Sequence, residues 1–152
     1  MGKWTKKQWR GHTFNTRTIR MLKKVEKRSG VRLNIAQGGW NNGRVSASGS
    51  THDGSAVDIG MWGMSKRDRI AVAHAAKQVG FGCWVRKPSE GFSWHLHGLP
   101  FGDPHVSAAG KDQLRSYDAG RNGLANNAPD NTYRPKRKKR WGWTRNKPVR
   151  RK

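Results

Sequence analysis

The apolar positions of this chain come in short clusters whose period changes along its length. After Asn15, a residue suited to cap a helix, Ile19, Leu22, Val25 and Glu26 follow near-helical spacing, and Ser29-Gly30 supplies a stop. A helix is therefore expected from Thr16 to about Arg28. Val31, Leu33 and Ile35 then alternate with Arg32 and Asn34, the period of a half-buried strand. That strand ends in Gln37-Gly38-Gly39-Trp40-Asn41-Asn42-Gly43, a glycine and asparagine loop that lets backbone approach a ligand closely. Ala56 to Met61 predicts a second strand. Ser65 predicts the cap of a second helix with Asp68 at its N3 position, a stripe of Ile70, Ala73, Ala76 and Val79, and Gly80 to close it. His74 falls inside that helix and reads as structural or solvent-facing. Phe81 to Val85 predicts a third strand, Arg86 to Ser89 a turn, Phe92 to Leu96 a fourth strand, and Lys111 to Gly120 a short helix. Asn122 to Asn131, rich in Asn, Gly and Pro, reads as a loop. The pattern is that of an α+β domain, a small antiparallel sheet with two to three packed helices.

Composition changes this picture mainly at the ends. With 152 residues and 33% of them apolar, the chain suits one domain with a modest core. Its formal charge of +23 is unevenly spread. Arg134, Lys136, Arg137, Lys138, Lys139, Arg140, Arg145, Lys147, Arg150, Arg151 and Lys152 form a block without a single acid. Such a block repels itself, so residues 130–152 are expected to be a disordered basic tail. Its partner must be polyanionic, either nucleic acid or the anionic polymers of a cell envelope. Trp141 and Trp143 suit stacking on bases or on sugar rings. Residues 1–11 read as a flexible basic arm, leaving 12–129 as the domain. The N-terminus carries charge but no apolar h-region, which is unlike a secretory signal. No window approaches the roughly 18 apolar residues of a membrane span. The expectation is a monomer made in the cytoplasm, reaching any outer target only after release. The single cysteine, Cys83, excludes an intramolecular disulfide and reads as a buried thiol beside Trp84.

The candidate chemistry sits between the strands. Asp58 lies inside the apolar run Ala56-Val57-Asp58-Ile59, and a buried carboxylate is costly unless something compensates it. A metal ion is the strongest compensation. His52 precedes it in a run of small turn-forming residues, and Trp94-His95-Leu96-His97 offers two imidazoles on one face of a strand. One imidazole of that pair can go to a metal, leaving the other as acid, base or oxyanion donor. Two imidazoles and a carboxylate with an open position make a catalytic zinc ligand set. Spacing alone leaves this open, since each histidine taken singly reads as a hydrogen-bonded surface group.

Ser50-Thr51-His52-Asp53-Gly54-Ser55-Ala56-Val57-Asp58-Ile59 resembles the Ser-x-His-x-x-Gly-x-Ala-x-Asp signature of the Hedgehog/D-Ala-D-Ala carboxypeptidase family, and Trp94-His95-Leu96-His97 resembles its C-terminal histidine motif. With Gln37-Gly-Gly-Trp-Asn, the match is closest to small peptidase-like proteins of actinobacterial phages, over about His12 to Pro129. The resemblance implies a zinc peptidase of bacterial wall peptide, an endolysin or virion-associated hydrolase. His52, Asp58 and His97 would be its zinc ligands, and His95 would stand near the developing oxyanion. The His-to-Asp spacing is one residue short of the family's. Where carboxypeptidase members carry an acid, three before the last histidine, this chain has Trp94. Glu90, one position farther from that histidine than the Hedgehog-type acid, becomes the candidate base, with His95 behind it. Arg44, Gln37 and Trp40 are the candidate substrate contacts. The competing expectation is a non-catalytic, zinc-stabilised virion or nucleic-acid-binding protein that works through the tail.

Overall fold

The computed structural model describes residues 2–41 and 50–133. The chain begins with two short strands, β1 (Lys6–Trp9) and β2 (His12–Asn15), paired as an antiparallel hairpin. Arg10 and Gly11 turn between them with φ of +52° and +79°, the two left-handed residues of a tight hairpin. Residues 2–11 are therefore not the loose arm their charge suggests. Alternating apolar residues are missing from β1, and its position is fixed instead by Trp9, which packs against the core, and by Arg10. The Arg10 guanidinium donates to both Glu26 oxygens (2.5 and 3.1 Å) and to the Leu33 carbonyl (2.9 Å).

Helix α1 (Thr16–Ser29) starts at Asn15, whose side chain accepts from the Thr18 amide at 2.8 Å. It ends at Gly30 in the left-handed conformation. Strand β3 (Asn34–Gln37) follows, then a 3-10 turn at Thr51–Asp53 and strand β4 (Val57–Gly60). Helix α2 (Lys66–Val79) is capped by Ser65, as its sequence indicates. Its buried side is Val72, Ala73, Ala75, Ala76 and Val79, with Ile70 only half-buried. The alanines let α1 pack closely along it.

Strand β5 (Phe81–Arg86), a 3-10 turn at Pro88–Glu90, strand β6 (His95–Pro100) and helix α3 (Ala108–Asp118) complete the order. β6 begins three residues later than expected, so Phe92 to Trp94 belong to the approach loop. α3 begins earlier than Lys111 because Ser107 caps it, its oxygen accepting from the Gly110 amide at 3.1 Å. Tyr133 packs on the core, and Lys87 Nζ donates to Thr132 at 2.8 Å, so the folded unit passes the expected limit at 129. The tail cations from Arg134 to Lys152 lie outside the described residues.

The main sheet runs β3-β4-β6-β5, all neighbours antiparallel. The fold is α+β, with three helices on one four-stranded and one two-stranded sheet among the described residues. Pleating divides the larger sheet cleanly. Ile35, Val57, Ile59, Leu96, Phe81, Cys83 and Val85 join α1 and α2 in the principal core. The opposite face carries Trp84 and Leu99, which α3 helps to cover with Tyr117 and Leu114. Beside that apolar half, on the same face, stand Asp58, His95, His97 and Arg86.

Candidate metal centre

Register brings the first two groups together. Asp58 of β4 is directly paired with His97 of β6, and Trp84 of β5 lies opposite His97 on the other side. Trp84 stacks on the His97 ring at 5.9 Å with an interplanar angle of 19°. His52 comes from the Thr51–Asp53 turn, which is pressed inward by close backbone contact. The Trp40 amide bonds the Gly54 carbonyl and the Asn41 amide bonds that of His52. A Cβ on Gly39 would overlap the Gly54 carbonyl, and one on Gly54 would overlap that of His105. Only glycine fits either place, and the result is a His52 that is 1% exposed.

Hydrogen-bond arithmetic then defines the site. His52 Nδ1 lies 2.7 Å from the Gly38 carbonyl, which can only accept, so the ring proton sits on Nδ1. His52 Nε2 is left as a buried lone pair with no donor, 3.3 Å from Asp58 Oδ1. His97 Nε2 lies 2.7 Å from Gln113 Oε1. The other end of that amide donates to the Gly123 carbonyl at 3.3 Å, which fixes Oε1 as acceptor. His97 therefore presents Nδ1 as a lone pair, 2.9 Å from the same Asp58 Oδ1. Three acceptors converge, with ligand atoms all within 4.8 Å of one another. Such a set is stable only around a proton or a cation.

Protonation responds to that conflict. Burial opposes charge on His52, but the hydrogen bond to Asp58, its charge and the Gly38 carbonyl together raise the imidazole pKa. His97 is pushed down because burial outweighs the pull of Asp58. Burial raises Asp58, yet both histidines hold its carboxyl well below the usual range. The buried His52–Asp58–His97 group can hold a metal ion, and each imidazole has its far nitrogen anchored, as metal-binding histidines require.

A cavity of about 330 Å³ opens on this group. Its wall includes Gln37, Trp62, Arg86, His95 and Gln113. His95 is placed as its sequence indicated, on the same face as His97, with Nδ1 held by the Ser93 carbonyl at 2.9 Å. Glu90 is not in that wall; its Oε1 is buried without a hydrogen-bond partner in the Pro88–Glu90 turn. Trp94 packs on the principal core, with Arg69 4.1 Å from its ring, so that position offers the cavity nothing. Trp40 also faces elsewhere, edge-on to His105 at 5.3 Å and beneath Lys6. Arg44 lies outside the described residues. Two participants escaped the sequence reading. Gln113 sits on a helix whose period gives no hint of it. Arg86 had a signal, since it alternates with Trp84 and is paired with His95.

No family model matches the chain, and neither a curated protein nor a solved structure matches it.

Proposed function

We propose that this protein is a zinc-dependent peptidase acting on the peptides of bacterial peptidoglycan, as a phage endolysin or virion-associated wall hydrolase. The observation that carries the reading is the convergence of His52 Nε2, Asp58 Oδ1 and His97 Nδ1 at the floor of an open cavity. These are the three residues that the family resemblance nominated. Two nitrogens and one oxygen with an unfilled side suit zinc better than the all-oxygen preferences of calcium or magnesium. Bound zinc would supply Lewis acidity, polarising a peptide carbonyl and acidifying a water.

The chain's own residues do the rest. His95, its Nδ1 proton held by Ser93, presents Nε2 as a proton acceptor in the cavity wall. It takes a proton from the attacking water and returns it to the leaving amine. Glu90 stands outside the wall, so His95 replaces it as the leading base. Gln37 lines the cavity as a substrate contact. Eleven cations in residues 134–152, with further excess positive charge elsewhere, draw the protein to anionic wall polymers.

The test is digestion of purified peptidoglycan by zinc-loaded protein, with products identified by mass. His95→Ala should slow cleavage by about 10²–10⁴ at unchanged zinc content, and Glu90→Gln should leave most activity. Zinc at one per chain with no cleavage of any wall type would reject the peptidase. Among the described residues, no carboxylate other than Asp58 lines the cavity, which favours the second reading, a zinc-stabilised nucleic-acid-binding or virion protein. That reading requires DNA binding that falls steeply with salt and disappears on removal of residues 134–152.

A further inference from the structure

Trp62 follows β4 and turns its ring back over it. A Cβ on Gly60 would lie 2.5, 2.7 and 2.9 Å from the indole atoms Cη2, Cζ3 and Cζ2. The three distances are nearly equal, as they are for a point above a ring and not for one beyond its edge. The indole therefore lies face-down on the Gly60 backbone, a seat that any side chain at that position would fill. Its outer face is open. Trp9, Trp84 and Trp94 put their rings into the two cores, but Trp62 joins neither. It is 52% exposed, the one exposed large apolar side chain among the described residues, and it lines the metal cavity. Gly60 is paired with His95, and Phe92 sits edge-on to His95 at 5.6 Å in the same wall. Indole, imidazole and phenyl rings thus adjoin along one side of the cavity.

We infer that the outer face of Trp62 is a sugar subsite, stacking on the pyranose that carries the stem peptide, so that the protein prefers wall peptides still attached to glycan. The inference rests on the peptidase reading and narrows it. A pyranose matches an indole face in size. It has C–H bonds on its own faces and hydroxyls at its rim, and the C–H bonds are drawn to the negative face of the indole. The hydroxyls stay in water or meet the polar wall, where Gln37 stands. Gly60 is two positions along β4 from Asp58 and on the same face, about 7 Å away. Two units of extended peptide cover about that length. A stem peptide joins its sugar through a single lactyl unit, so the sugar comes over Trp62 when cleavage falls close to the glycan. The stem residues nearest the sugar are small or acidic, and neither kind covers an indole face. A nucleobase would stack as well, but the exposed cations of α1, Arg20, Lys23, Lys24 and Lys27, lie across the sheet from this cavity. A strand of nucleic acid drawn to them does not pass Trp62.

Two measurements on the zinc-loaded, full-length protein test this. The first compares kcat/KM for a disaccharide-bearing muropeptide with that for the same stem peptide without its sugar. The muropeptide should be preferred by about tenfold, the scale of one stacking contact. Trp62→Ala should remove the preference, chiefly through KM, and Trp62→Phe should keep part of it. Gly60→Ala, which denies the ring its seat, should lower the preference with Trp62 still present. The second measurement follows the indole N–H resonances on titration with chitobiose, an uncharged disaccharide, and needs no turnover. The resonance missing from Trp62→Ala should shift, and the other indoles should not. Muropeptide and bare peptide cut at equal rates would overturn the sugar subsite and leave the peptidase standing. A Trp62 shift without cleavage of any muropeptide would do the reverse. A sugar preference that survives Trp62→Ala would place the glycan elsewhere and overturn the inference, as would a Trp62 resonance that ignores chitobiose. So would one that answers only to oligothymidylate, which would give the ring to a nucleobase. If a variant does not fold, the ratio measured on the unaltered protein still decides.

Discussion

Two polar clusters in this molecule each set an imidazole beside a buried or half-buried carboxylate, and they have opposite character. One is His52, Asp58 and His97. The other, beyond the Thr51–Asp53 turn, is Asn15, Ser55, Asp103 and His105. In the second every short contact pairs a donor with an acceptor. Asn15 Nδ2 donates to Asp103 Oδ2 (2.8 Å) and Ser55 Oγ (3.2 Å), while Asn15 Oδ1 accepts from the Thr18 amide. Asp103 Oδ1 accepts from the His105 amide at 2.8 Å. In the first cluster the donors point outward, to Gly38 and Gln113, and the acceptors point at each other. A histidine beside an aspartate is therefore no evidence of a metal site. The direction of the protons is.

The largest effect should come from His97→Ala. Metal content by mass spectrometry should fall from about one zinc per chain to none, and chelation should no longer lower the stability of the variant. In the unaltered protein, chelation should cost about 2.7 kcal/mol when free zinc stood at a hundred times its Kd. Retention of the metal by His97→Ala would erase the contrast between the clusters. A smaller loss is expected for Gln113→Ala, which frees His97 Nε2 from its acceptor and should weaken zinc about 10- to 100-fold. Competition with a chelating dye reads it. The matching change in the other cluster, Asn15→Ala, removes a helix cap and a donor to a buried carboxylate. It should cost about 2 kcal/mol in denaturant unfolding and leave zinc affinity alone.

Acid should separate the clusters too. A metal ion held here would need His52 Nε2 bare, and the pKa of that ring is raised above its ordinary 6.5. In the metal-free protein a raised His52 contributes stability fully below its unfolded value, and that contribution is lost as pH rises through the folded one. The lowered His97 has the opposite sense, so its contribution is lost as pH falls. Asp58, held below its ordinary 3.8, is lost only in stronger acid. A metal ion would have to displace the His52 proton, so zinc affinity should climb by up to about tenfold per pH unit until His52 is neutral. The stability gap between loaded and chelated protein should widen from pH 5 to 7.5. A flat gap would mean that His52 carries no proton to displace.

The sequence was most informative where local rules decide the structure. Asn15, Gly30 and Ser65 mark helix ends by capping chemistry that does not depend on tertiary contacts, and α1 and α2 follow them. The alternation of Leu33 with Ile35 and the anomaly of Asp58 placed two strands. It failed where distant contacts decide. β1 lacks apolar alternation and is held by Arg10 on Glu26, a pairing sixteen residues away. The His52–Asp58–His97 group was legible through motif resemblance, but proton directions were not, because they depend on Gly38 and Gln113, which no motif includes. Glu90 was chosen by its distance along the chain from His97. It sits in the Pro88–Glu90 turn, ahead of the late start of β6, and does not line the cavity.

The smallest expected effect is that of His105→Ala, and it bears most directly on the comparison. His105 has the outward marks of a functional histidine: Asp103 Oδ1 lies 3.9 Å from its Nδ1, Asn15 Nδ2 lies 3.4 Å away, and Trp4 and Trp40 flank the ring. Its side chain is nevertheless 35% exposed, and Asp103 already has donors from Asn15 and from the His105 backbone. Removing the imidazole therefore strands no buried charge. The loss is one long contact with Asn15 Nδ2, which keeps its bonds to Asp103 and Ser55, and two edge contacts with tryptophan, together about 1 kcal/mol at a partly solvated site. Thermal unfolding should shift by a few degrees, with zinc content and wall cleavage unchanged. A loss of zinc on this substitution would mean that the turn carrying His52 depends on the neighbouring cluster through Gly54 and the His105 carbonyl, and the two regions would then be one site.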